Sequence, residues 1–300
     1  MATNTPEDFI REQEGEEYPA APEQLAALKS FLTNPSVSAS DAAKDITRPI
    51  IEARQKALNK EPSDYDFTSL WSTIAEAVRQ LTDHNDRLVE LVTEIQKVPD
   101  QEGYIAFMQD YREHWTEIAF EFKDPPSDDP GLAAKRQAWF NINAFTAKLS
   151  AYGIPQLDER PRAAWVLKHT LEEAPWEVFH HPDIDEQLDE DPDDEVVLES
   201  AKHELETRDV RVLNNWVPAA ALWMKINAKG IYEMQGKMSN ADEQNWDPSL
   251  WKGVRGWSKE RFAFWRERFE WISKVTALER STRNDATEAA KIMRDVEKVP

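Results

Sequence analysis

Apolar residues recur along the chain at steps of three and four, while the strict alternation of a half-buried strand is nearly absent. The pattern predicts an all-α protein: a single multi-helix bundle of about ten helices, several of them kinked at proline. A first helix is expected from Pro22, where a missing N–H costs nothing, to about Leu32. Ser38 or Ser40 caps the next, which Pro49 kinks and which continues to about Leu58. Asp66 caps a segment carrying the stripe Leu70, Ile74, Ala77, Val78 and Leu81. Asp83 caps a continuation through Leu88, Leu91, Val92 and Ile95 until Pro99. Tyr104, Phe107, Met108, Tyr111, Trp115, Ile118 and Phe122 keep the spacing up over about five turns. Further helices are expected at Leu132–Leu149, with Gly153 as a left-handed terminator, and at Arg160–Leu171. Others follow over Glu195–Gly236 with a break or kink at Pro218, over Lys259–Glu279 behind the cap Ser258, and from Thr282 to Val296.

Asp/Pro-rich residues 123–130 and residues 176–194 read as loops, and 245–257 as irregular. Residues 123–130 are the best place for a subdomain boundary. Aromatic residues flank them on both sides, however, so 21–300 is expected to form one contiguous helical domain. Residues 1–20, rich in carboxylates from Glu7 to Glu17, read as a disordered acidic leader.

Composition narrows the function classes. Charged residues make up 31% of the 300, with 36 basic against 57 acidic for a net charge of −21. Such a surface repels nucleic acid and anionic lipid, so neither is an expected partner. The absence of cysteine removes disulfides, thiolate nucleophiles, Cys-ligated zinc and iron–sulfur clusters together. The N-terminal residues lack the basic and apolar regions of a secretory signal, and no apolar run approaches the roughly 18 residues of a membrane span. An intracellular location, cytoplasm or nucleus, is the expectation.

Several motifs fail on a residue that the chemistry requires. His203-Glu-Leu-Glu-Thr207 has Thr where a zinc-binding helix needs its second imidazole. Asp189, Asp191 and Asp193 begin like a calcium loop, but Asp194 stands at the turn glycine and Ser200 at the bidentate glutamate. Gly253-Val-Arg-Gly256 lacks phosphate-loop spacing, and there is no nucleophile elbow. No catalytic residue, metal site or cofactor is expected. The run Asp183–Glu195, nine carboxylates and no base, reads as a solvated loop rather than a cation site.

One stretch stands apart. Trp246–Ile272 carries five tryptophans, and Lys252–Lys274 has seven basic against three acidic residues. On a helical wheel Phe262, Trp265, Phe269 and Ile272 fall within about 80°, an ordinary core stripe. Phe264 and Trp271 lie almost opposite, with Arg261 and Arg268 between the two aromatic groups. Lys259, Arg266, Glu267 and Glu270 take the face assigned to solvent. Two guanidiniums one heptad apart are thus expected to be partly buried, which requires partners. Carboxylates from other helices would serve, with stacking on Phe264 or Trp271. The alternative is an anionic small molecule, since arginine forks match carboxylate and phosphate geometry. On that alternative the ligand-binding candidates are Arg261, Arg268, Trp265, Phe264 and Trp271, joined by Trp257 and Arg255 from the preceding turn. Ala219, Ala220 and Ala221, followed by Trp223, mark a smooth helical face that suits close helix packing or leaves a cavity beside it.

Trp251-Lys-Gly-Val-Arg-Gly-Trp-Ser-Lys-Glu-Arg-Phe-Ala-Phe-Trp-Arg-Glu-Arg-Phe resembles the C-terminal signature of a fungal domain-of-unknown-function family of Trp-rich helical proteins. Trp139-Phe-Asn-Ile-Asn-Ala-Phe is similar to that family's central helix and Trp216–Gly230 to its Ala-rich one, so that the similarity covers roughly 60–298. Trp257 stands where the family pattern has a smaller apolar residue. The resemblance implies a fungal, intracellular, helical protein and no particular activity.

Two function classes follow. The favoured one is a non-catalytic interaction or scaffold protein that meets an unknown protein partner through its acidic surface and the aromatic–basic patch. The alternative is a small-molecule binder, or an enzyme without a recognisable motif, whose aromatic cavity takes an anionic apolar metabolite.

Overall fold

The computed structural model describes residues 5–59, 68–99, 111, 115, 129–173, 194–197, 209–238 and 249–298. Among these residues there are ten α-helices and no strand, in agreement with the periodicity. Backbone contacts gather into two compact units, one of residues 1–123 and 134–158, the other of 124–133 and 159–300.

The first unit holds α1 (Pro6–Gln13), α2 (Pro22–Thr33), α3 (Ala39–Leu58), α4 (Thr68–Gln80), α5 (Asn85–Ile95) and all but the first two residues of α6 (Leu132–Ala151). Helix α1 lies where a disordered leader was expected. Thr5 caps it, and Phe9 and Ile10, one step apart, are both buried. Two apolar side chains and a cap suffice to order a short helix when it packs on another, here α2. Ser38 caps α3 as its position suggests, its Oγ accepting from Asp41 N at 3.1 Å, and Pro49 lies inside that helix. Asp66 lies outside the described residues. Helix α5 begins only at Asn85, because Thr82–His84 form a 3-10 turn around Asp83.

Arg87 of α5 closes the corner between α2 and α3. Its guanidinium donates to the carbonyls of Phe31 and Val37 at 2.6 and 3.2 Å and stacks 4.2 Å from the Phe31 ring. Of the expected helix at 104–122 only Tyr111 and Trp115 are described. Their rings stack at 5.6 Å, flanked by Trp71 and Phe145. Gly153 follows α6 with φ +68°, the left-handed conformation that a terminator needs.

The second unit holds α7 (Arg160–Leu171), α8 (Leu213–Tyr232), α9 (Lys259–Ile272) and α10 (Arg280–Glu297). Helix α8 packs against α7 and α10, and α9 packs against α10 and α7. Pro218 sits within α8 without ending it, and Ala219, Ala220 and Ala221 are all buried. The close-packing explanation also fits Gly230, where an added Cβ would lie 2.9 Å from the Arg160 guanidinium. At the α7–α8 contact the His169 ring lies 4.0 Å from that of Trp216 and is nearly parallel to Trp165. The segments 123–128, 174–193 and 198–208, with the near-miss motif at His203 and most of the acidic run, lie outside the described residues. Among the described residues no helix is long and apolar enough to cross a membrane, and no group of His, Asp and Glu could hold a metal ion.

The expected helix Lys259–Glu279 is shorter than the pattern implies. It ends at Ile272, and residues 273–279 form a turn although none of them is Gly or Pro. Local and distant bonds hold the turn: the Ser273 hydroxyl donates to the Glu270 carbonyl, Asn214 Oδ1 of α8 accepts from Glu279 N at 3.0 Å, and Leu278 is buried.

Candidate functional site

Helix α9 is capped by Ser258, whose Oγ accepts from Arg261 N at 3.1 Å. Its core stripe is as the wheel predicts, with Phe262, Trp265, Phe269 and Ile272 all buried. The same cap places Arg261 on the first turn pointing inward, where only 3% of it is exposed.

A guanidinium so buried needs an anion, and the chain supplies one. Glu172, at the C-terminal end of α7 and completely buried, takes Arg261 in a fork. Arg261 Nε donates to Oε1 at 2.7 Å and Nη2 to Oε2 at 2.8 Å, while Nη1 donates to the Gly256 carbonyl at 3.1 Å. The Trp265 indole N–H donates to Oε1 at 2.7 Å, and the Ser249 hydroxyl to Oε2 at 2.8 Å. The Glu172 carbonyl accepts Leu250 N–H at 2.7 Å. Each carboxylate oxygen thus has two donors, the condition under which a buried ion pair is tolerated. Arg261 was a candidate for holding an exogenous anion, but its fork is occupied by a carboxylate of its own chain.

The remaining candidates separate. Trp257 meets Trp265 edge-on at 5.9 Å and belongs to this buried cluster. Phe264 packs instead with Trp251 at 5.5 Å. Arg268 is half-buried, donating Nε to the Leu171 carbonyl at 3.1 Å with its guanidinium 4.4 Å from the Trp271 ring. Arg255 is exposed on the loop. The structure therefore brings Arg261 and Trp265 together on Glu172, with Trp257 against Trp265, and sets Arg268 with Trp271 at the end of α7. Two residues assigned to solvent are not there. Arg266 and Glu270 are half-buried against α10, with Arg266 donating to Glu270 and to Glu297 at 2.8 Å each.

Glu172 is the residue that sequence reasoning missed. It lies 89 residues from Arg261. One local signal exists: Glu172 and Glu173 crowd the negative end of α7, where the helix dipole disfavours carboxylates unless a cation compensates.

The cluster holds the loop 249–257 against the helices, and two glycines shape that loop. Gly256 has φ +90°, and its backbone passes so close to Gly236 that an added Cβ would lie 2.2 Å from the Gly236 carbonyl oxygen. That carbonyl accepts Trp257 N–H at 2.7 Å, a single antiparallel bridge. Gly253 lies under the Trp251 ring, whose indole N–H reaches back to the Val254 carbonyl at 2.9 Å. Beyond this brace Lys252, Val254 and Arg255 are exposed, and Val254 keeps 79% of its surface in water.

No curated protein and no solved structure matches the chain. A protein family does, over residues 71–269, a span that takes in Glu172, the braced loop and α9 up to Phe269. The chain belongs to the family described as protein of unknown function (DUF3632).

Proposed function

We propose that this is a non-catalytic protein-interaction protein that engages its partner through the loop 249–257. The observation that carries this reading is the loop's contrast between backbone and tip. Its backbone is tied by the Gly236 bridge, the Trp251 indole and the Glu172 cluster, yet its tip presents an apolar side chain between two cations. A rigid exposed apolar residue gains nothing for folding and is the arrangement an interface rewards, because ordering costs are met before the partner arrives. No acidic residue occurs from Ser249 to Lys259, so the partner face it suits carries carboxylates around a small apolar contact. The charges and hydrogen bonds at Glu172 and Arg261 serve this architecture.

The test is affinity capture with the whole chain and two variants. Val254→Asp with Lys252→Glu changes the tip chemistry, and Gly253→Ala pushes the Trp251 ring off the brace. A partner held by the unaltered chain should be lost from the first variant and weakened in the second, with thermal unfolding of the first unchanged. Equal retention by all three, or a chain that stays monomeric and retains nothing, overturns the reading.

A further inference from the structure

The turn between α9 and α10 contains no helix-breaking residue; its local support is a Ser273 hydroxyl donating to the Glu270 carbonyl and backbone bonds such as Leu278 N–H to the Val275 carbonyl. From Ser258 to Val299 the sequence contains neither Gly nor Pro, and Ala277, Leu278 and Glu279 are good helix formers. From outside, the Asn214 side chain holds the break open by accepting from Glu279 N, and Leu278 is buried there. Without those contacts, residues 259–297 can run as one helix of roughly 58 Å.

Helix α10 is also held differently from its neighbours. It buries Thr282, Ala286, Ala289, Ala290 and Met293, mostly small side chains, whereas α9 buries Phe262, Trp265, Phe269 and Ile272. Much of its specificity is ionic and lies at the rims of the α8–α9 groove. Lys225 of α8 meets Asp285 at 3.0 Å and Glu288 at 2.8 Å. Arg266 of α9 meets Glu297 at 2.8 Å, and Arg294 meets Glu270 at 2.6 Å. Arg283 Nε and Glu297 Oε1 are buried without a hydrogen-bond partner, so the seat is imperfect. The family match ends at residue 269, which places most of the groove inside it and the helix that fills the groove outside it.

We infer that α10 is exchangeable, and that the partner which the α8–α9 groove fits is α10 of a second copy of this chain. The groove reads small residues between two sets of acids about 18 Å apart along a helix, 285/288 and 297. A second copy's α10 meets that requirement contact for contact. An emptied groove leaves Lys225 without Asp285 and Glu288, so straightening of the turn is compensated when two chains exchange α10 reciprocally into a closed two-fold pair. This inference is independent of the loop at 249–257.

The test uses the ion pairs themselves. Unlabelled and 15N-labelled chains are mixed at high concentration, incubated, and treated with a carbodiimide, which joins Lys225 to Asp285 or Glu288 where they touch. Exchange yields linked peptides carrying one light and one heavy half, confined to the dimer fraction in size-exclusion chromatography. Asn214→Ala frees the turn and should raise the mixed fraction about fivefold, the factor set by one ordinary hydrogen bond. Thr276→Pro forbids the straight helix and should abolish it. Linked peptides of a single isotope only, in the unaltered chain and in Asn214→Ala at every concentration, overturn the inference even if Thr276→Pro fails to fold.

Discussion

Two ion networks lie on opposite sides of α9 and use the same kinds of side chain to different ends. On one side Glu172 and Arg261 are buried together and every carboxylate oxygen is doubly bonded. On the other, Arg266, Glu270, Arg294 and Glu297 bridge α9 and α10 with side chains that water still reaches. The first fixes one geometry, because any loosening strands a charge in an apolar interior. The second tolerates loosening, since solvent and salt replace each lost partner at small cost.

The largest test of that contrast is Glu172→Ala. It takes the Glu172 carboxylate away from the buried Arg261 guanidinium, and urea unfolding should show a loss of about 3–5 kcal/mol. Adding Arg261→Met to it should recover most of that loss, and a failure to recover would mean that the cluster acts through more than charge. Next comes Trp265→Phe, which keeps the ring but removes a donor to the carboxylate. The expected loss is about 1.5–3 kcal/mol by the same measurement. Across the helix, Lys225→Met should cost under about 1 kcal/mol, and less again in high salt.

The smallest effect concerns acid. Hydrogen bonding from Arg294, then from Arg266, holds the Glu270 carboxyl below the usual carboxylate range despite its partial burial. A depressed carboxylate contributes stability that is present above its unfolded value, near about 4.3, and is lost as pH falls through the lower folded value. Thermal unfolding followed below about pH 4 should therefore show an acid-induced decline, and that decline should be smaller in Glu270→Gln.

The helices were legible because their determinants are local: Pro22 at a first position, Ser38 and Ser258 at caps, Gly153 at a terminator, and stripes at three and four residues. The wheel of α9 likewise forecast a buried Arg261 in need of an anion. What escaped was set by residues far away in sequence. Glu172 is unremarkable in its own segment except for lying at the wrong end of a dipole. The turn after Ile272 is held partly by Asn214, 65 residues from Glu279, so a pattern with no Gly or Pro in it points to Glu279 instead. Arg266 and Glu270 were assigned to water because a wheel shows the faces of one helix and cannot count its neighbours. Phe9 and Ile10 were too few to outweigh the surrounding carboxylates until α2 gave them a surface.

The imidazole of His169, set 4.0 Å from Trp216 and nearly parallel to the Trp165 ring, also makes the α7–α8 seam visible to spectroscopy. An excited indole so close to another heterocycle loses emission by contact quenching. His169→Ala should brighten the intrinsic signal of this seam, giving an optical gauge of helix separation that needs no attached dye.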